Sequence, residues 1–191
     1  MTPLTGRIVA IAGDDGAKAQ SLLTEMAAEW SAAGVKIAGV IAEGHGLAGR
    51  ACGAGFLREI GSGKAHTIYL DVPSSGTSCH LDATGVADAG MAIIAQIPNS
   101  DLVVLNKFGK LEAMGKGLVK VFAAAIAAGK PLLTTVSEKH RDAWSSFAPG
   151  AILLIAEKAA LEDWWRAAWT PPRQDEEVQL LRASRQSDGV H

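Results

Sequence analysis

Two segments of this 191-residue chain bring together residue types that bind anions. The first is Gly13-Asp14-Asp15-Gly16-Ala17-Lys18-Ala19, directly after the apolar run RIVAIA at 7–12. A phosphate-binding loop of the G-x-x-x-x-G-K-[ST] type needs glycines for close backbone approach, a lysine, and a hydroxyl for Mg²⁺. Here Ala17 precedes Lys18, Ala19 replaces the hydroxyl residue, and Asp14 and Asp15 put negative charge where phosphate oxygens would lie. Two readings stand. One is a turn whose Asp side chains cap the next helix. The other is an oxyanion or nucleotide site at the helix N-terminus, using the backbone from Gly13 through Gly16 and Lys18.

The second segment is Asn106-Lys107-Phe108-Gly109-Lys110-Leu111-Glu112, followed by Gly115-Lys116-Gly117. Between residues 102 and 136 five lysines (107, 110, 116, 120 and 130) stand against one acid, Glu112. Lys120 and Lys130 fit a solvated helix face and a turn. Lys107, Lys110 and Lys116 are candidates to bind an anion, against the alternative of an ordinary solvated charge run. Glu112 reads either as part of that site or as the partner of a neighbouring lysine.

Other reactive residues form weaker patterns. Cys79-His80-Leu81-Asp82 has metal-ligating types, but adjacent residues rarely point at one ion, and a helix-capping Asp82 is the competing reading. His45, His66 and His140 are scattered, and no G-x-S-x-G is present. Trp164, Trp165 and Trp169 near a helix end fit a core or a dimer contact.

The elements that must position these residues follow from periodicity. Residues 7–12, 35–41, 101–106, 132–136 and 151–155 are short apolar runs that read as buried strands. Residues 19–33, 83–96, 117–128 and 159–169 have helical spacing, and 141–147 fit one or two helical turns. Strand, helix, strand in the first forty residues predicts a parallel, right-handed βαβ unit. The runs 56–60 and 65–70 flank Gly61-Ser62-Gly63-Lys64 and predict an antiparallel hairpin at a sheet edge. Residues 43–55, 71–78 and 106–116 read as loops. The sum is an α/β three-layer sandwich with a mainly parallel sheet, one domain over 1–170, and a polar extension over 171–191. In such folds ligands bind beyond the carboxyl ends of the strands. That rule gathers the 13–18 turn, the 106–116 loop and the residues after Val136.

Composition excludes several classes. The chain is 48% hydrophobic and 20% charged with a net charge of −2, which supplies no field for general nucleic-acid binding. No apolar run reaches spanning length and the first residues lack a signal-peptide pattern, so the expectation is a cytoplasmic protein without membrane insertion. Two cysteines without CxxC spacing suggest neither a disulfide framework nor a zinc knuckle.

Asp101 to Glu112 (DLVVLNKFGKLE), Gly115-x-Gly117, Gly129-Lys130-Pro131 and Cys79-His80-Leu81-Asp82 together resemble a bacterial domain-of-unknown-function family, number 2478. Its members are often encoded near molybdate-transport genes, and it is similar to small P-loop nucleoside triphosphatases. The resemblance runs from about residue 7 to about residue 154. Carried over by position, Asn106 stands where the Mg²⁺-associated Asp would be and Lys107 where the catalytic Glu would be. Gly109 and Glu112 match, and Lys18 corresponds to the P-loop lysine. The resemblance thus implies a P-loop NTPase-like fold with altered catalytic positions, which leaves enzyme activity open. Three functions follow: a non-catalytic protein for a nucleotide, phosphate or oxyanion such as molybdate; a nucleoside triphosphatase or phosphotransferase with divergent motifs; and a partner-binding subunit, as a homodimer or with a transport-related protein.

Overall fold

The computed structural model describes residues 6–13, 15–46, 54–70 and 81–169. Asp14, Cys79, His80, the 71–78 loop and the 171–191 extension lie outside the described residues.

The continuous apolar runs become strands buried on both faces. β1 (Ile8–Ala12), β5 (Leu102–Leu105) and β6 (Leu132–Val136) are buried at every residue, as parallel strands covered by helices on both sides must be. With β2 (Ile37–Gly44), β3 (Ala54–Glu59), β4 (Ala65–Thr67) and β7 (Ile152–Leu154) they form one seven-stranded sheet in the order β4-β3-β2-β5-β6-β1-β7. β2, β5, β6, β1 and β7 run parallel, whereas β3 and β4 pair antiparallel at one edge. This is the expected sandwich with its edge hairpin.

Among the described residues six α-helices flank the sheet: α1 (Gly16–Ala32), α2 (Ala83–Gln96), α3 (Lys110–Ala113), α4 (Val119–Ala127), α5 (Arg141–Phe147) and α6 (Lys158–Ala168). The strand side chains split by parity into two cores. Val9, Ile11, Val104 and Leu133 pack with Leu23, Met26 and Trp30 of α1 and Leu161, Trp164 and Trp165 of α6. Ala10, Val103, Leu105 and Leu132 pack with Ile93, Val121, Phe122 and Trp144 of α2, α4 and α5. Burial of each such large side chain contributes roughly 1.5–3 kcal/mol. Trp164 and Trp165 are each 7% exposed, with Trp165 centred 5.2 Å from the Trp30 ring. Both rings are core, which removes them from a partner-contact role.

Three boundaries depart from the sequence expectation, each for a local reason. α1 begins at Gly16 because Asp15 caps it, its carboxylate accepting from the Lys18 N–H at 2.9 Å. Residues 16–18 are therefore helix. β2 continues to Gly44 because β3 pairs with it antiparallel through Glu43–Phe56 and Gly44–Ala54. The expected 106–116 loop contains α3, with Glu112 reaching back to the Gly109 N–H.

Asp82 is the N-cap of α2, its Oδ1 accepting from the Thr84 N–H at 2.9 Å. Asp82→Ala is expected to cost about 0.5–2 kcal/mol in chemical denaturation. Chelator should not change the loss; a loss that appears only with metal present would restore the ligand reading.

His66 is not isolated. Its Nε2 lies 2.7 Å from Glu59 Oε1, and both residues are buried. Glu59 Oε2 accepts from Ser62 Oγ at 2.6 Å and Gln96 Nε2 at 2.9 Å, tying the hairpin to α2. Burial pushes the Glu59 carboxyl upward, but the hydrogen bonds from Ser62, His66 and Gln96, with the His66 charge, outweigh it and hold the group below 4.5. A folded value below the unfolded one gives stability that is fully present above the ordinary carboxyl range and fades as pH falls through the folded value. Glu59→Gln should therefore cost about 1–3 kcal/mol at pH 7. The gap to wild type should narrow as pH falls below 4.5. Urea melts from pH 7 down to pH 3 check this, and a gap independent of pH would refute it.

Candidate functional site

The strand order places the carboxyl ends of β2, β5, β6 and β1 side by side, next to the N-terminus of α1. A cavity of about 580 Å³ opens there. Gly13, Gly16, Ala19 and Gln20 form one wall, Asn106 to Lys110 another, and Ala42 to Gly44 and Thr135 to Ser137, with His140, complete it. Binding at the carboxyl edge of a doubly covered sheet is the general rule for such folds. The volume is in the range that holds a small ligand.

Of the residues singled out by sequence, Gly13, Gly16, Asn106, Lys107 and Lys110 meet at this cavity. Lys107 and Lys110 are exposed and form no ion pair among the described residues. The Asp15 carboxylate forms no ion pair with them and caps α1, the first of the two readings of this turn. Asp15 and Lys18 are exposed on the first turn of α1 and do not line the cavity. Lys116 also lies away from the lining, beyond α3.

Glu112 is absent from the lining too. It is 9% exposed, and its two carboxylate oxygens accept from the Gly109 N–H and the Leu118 N–H, each at 3.0 Å. Backbone donors hold it, in place of either the site role or the lysine partner that its sequence position left open. Gly117 makes this fit possible: it has φ +60°, and a Cβ there would stand 2.3 Å from Glu112 Oε1.

Sequence reasoning missed Gln20, Glu43, Thr135, Ser137 and His140 as individual lining residues. A polar pair in the buried strand LLTTV was the available signal for Thr135. Ser137 and His140 follow Val136, where the strand ends predict a ligand edge, and Ser137 Oγ lies 3.0 Å from His140 Nδ1. Glu43 is held by Arg58, whose Nε and guanidinium NH2 donate to its two oxygens at 2.6 and 2.8 Å. That hydrogen-bonded guanidinium keeps the Glu43 carboxyl below its ordinary value, so Glu43 stays ionised and internally matched.

Chemically, the rim offers two ammonium groups and the wall offers backbone N–H groups. The first N–H groups of a helix have no partner within it, and Asp15 takes only that of Lys18. The turn from the end of β1 to the start of α1 spans only residues 13–15. Counted from Gly13 to Ala19, the segment has seven residues, one fewer than the eight of a P-loop motif. Among the described residues, no group of three His, Cys, Asp or Glu side chains is placed to hold a metal ion.

Over 149 residues the chain is 39% identical to a molybdenum import ATP-binding protein, ModC 2, of Bradyrhizobium diazoefficiens. The match covers 76% of this chain and 16% of that protein. The architecture is P-loop NTPase-like. Comparison with solved structures finds no match. No helix among the described residues is long and apolar enough to cross a membrane. Residues 8–164 match the family described as "Protein of unknown function (DUF2478)", and the chain belongs to that family.

Proposed function

We propose that this protein binds a small anion, an oxyanion or the phosphate of a nucleotide, at the carboxyl edge of its sheet, and does not hydrolyse it. The observation that carries this is the pair Lys107 and Lys110, unpaired among the described residues, at the mouth of a cavity walled by the start of α1. An unpaired ammonium pair over backbone N–H groups is complementary to a tetrahedral oxyanion. Lys18 and Glu112, the positions that a P-loop resemblance would use, lie off the cavity. The name of the import ATP-binding relative supports molybdate as one probe and a transport-related partner.

The second reading is a nucleoside triphosphatase. The P-loop NTPase-like architecture and the relative's name favour it. Against it stand Ala19, Asn106 and Lys107, at positions where Mg²⁺ and water would need ligands. Calorimetric titration with inorganic phosphate, sulfate, molybdate and ATP separates the two. Anion binding without phosphate release supports the first reading. Mg²⁺-dependent turnover of ATP would put the second in its place, and silence toward every probe would remove both.

A further inference from the structure

The floor of the cavity holds a polar cluster that the lysine pair does not use. Gln20, on α1, sends its amide nitrogen to both oxygens of Asn106, the backbone O and Oδ1, at 2.8 Å each. Thr135 Oγ1 lies 3.2 Å from Gln20 Oε1 and 3.1 Å from Asn106 O. Asn106 Oδ1 also accepts from the Ala42 N–H at 3.0 Å.

The orientation of both amides follows from this network. A backbone N–H can only donate, so the Asn106 atom facing Ala42 is the oxygen. The Gln20 atom facing that same oxygen is therefore the NH₂ group. Four oxygens from β5, β6 and α1 thus converge: Asn106 O and Oδ1, Thr135 Oγ1 and Gln20 Oε1. Hard oxygen sets of this kind hold divalent cations when a carboxylate supplies charge. Here every member is neutral, and the Gln20 NH₂ donates into the middle of the set. The one acid on the lining among the described residues, Glu43, has both oxygens on Arg58. What the lining offers an anion is its lysine pair, Lys107 and Lys110, since the Ser137 hydroxyl is already 3.0 Å from His140 Nδ1.

We propose that this cavity takes its oxyanion free of any divalent cation, with Gln20 setting that preference by filling with its amide the oxygen cluster a cation would need. The inference rests on the anion-binding reading above and narrows its ligand class. The ligand is a bare tetrahedral oxyanion or a free phosphate end, and a Mg²⁺-complexed triphosphate is excluded. Gln20 is then the specificity-determining residue of the site.

The test is titration of the full chain with inorganic phosphate and molybdate, in EDTA and again in excess Mg²⁺. The expected result is the same affinity within about twofold in both buffers. Gln20→Glu removes the donor and supplies a carboxylate among the Asn106 oxygens. It should weaken phosphate binding about tenfold or more. It should also gain Mn²⁺ binding by electron paramagnetic resonance, and a melting temperature that rises with Mn²⁺, neither of which wild type or Gln20→Leu shows. Phosphate binding by wild type only with Mg²⁺ would overturn the inference while leaving an anion site in place. Mn²⁺ binding by wild type would also overturn it. No binding of either anion in either buffer would overturn the inference together with the reading beneath it. Should Gln20→Glu fail to fold, the wild-type comparison in the two buffers still decides.

Discussion

Replacing Lys107 and Lys110 together by alanine is expected to weaken phosphate or molybdate binding by about 100-fold or more, with little change in melting temperature. Each charge-assisted hydrogen bond from an ammonium to an oxyanion is worth roughly tenfold or more in affinity, and two such groups share this rim. The fold should be indifferent because neither lysine has a protein partner among the described residues and both are exposed. Surface charges of that kind contribute little to stability. The control is Lys116→Ala. Sequence puts Lys116 in the same basic segment, but it is off the cavity lining. Its loss should change affinity no more than about twofold, through screened long-range charge alone. The salt dependence should flatten in the double variant and stay steep in the control. Equal affinity in wild type and double variant would sink the site. Equal losses in the double variant and the control would make the basic loop a diffuse field, not a site.

The sheet was legible because its central strands leave no alternative. IVAIA, LVVL and LLTTV carry no charge, so each can be satisfied only between two helical layers. The cavity's position was legible for the same reason, since the βα order alone gathers the strand ends. The individual contacts were not. Nothing in the spacing of α1 marks Gln20, whose partners Asn106 and Thr135 are 86 and 115 residues away. β2 extends to Gly44 because a strand from elsewhere pairs with it, although Ala42-Glu43-Gly44 has weak strand character by itself. His66 looks solitary in sequence, but its acceptor Glu59 sits seven residues back across the hairpin. Asp15 shows the converse case. A local rule, the preference of Asp for helix N-caps, predicted its contact.

Glu112→Ala is expected to destabilise the protein by about 2–5 kcal/mol. The carboxylate is buried and bridges the N–H of Gly109 to the N–H of Leu118, closing the segment between β5 and α4 around α3. Removing it strands two buried donors at once. Glu112→Gln keeps one acceptor oxygen and turns an NH₂ group toward the other N–H, so it should recover only part of the loss. The same bridge has a consequence for binding. Gly109 lies between Lys107 and Lys110, so the Glu112 contact fixes the backbone that presents both lysines to the cavity. Glu112→Gln, where it stays folded, should therefore weaken phosphate binding about in step with its loss of stability. A group that polarised water or held a metal would behave otherwise. Its Gln variant would keep full stability while losing a metal-dependent activity. Urea denaturation of the Ala and Gln variants beside phosphate titration of the Gln variant distinguishes the two. A fully stable Glu112→Gln would return this carboxylate to the role that the P-loop comparison suggests. A large loss in both measurements assigns it to holding the lysine-bearing turn.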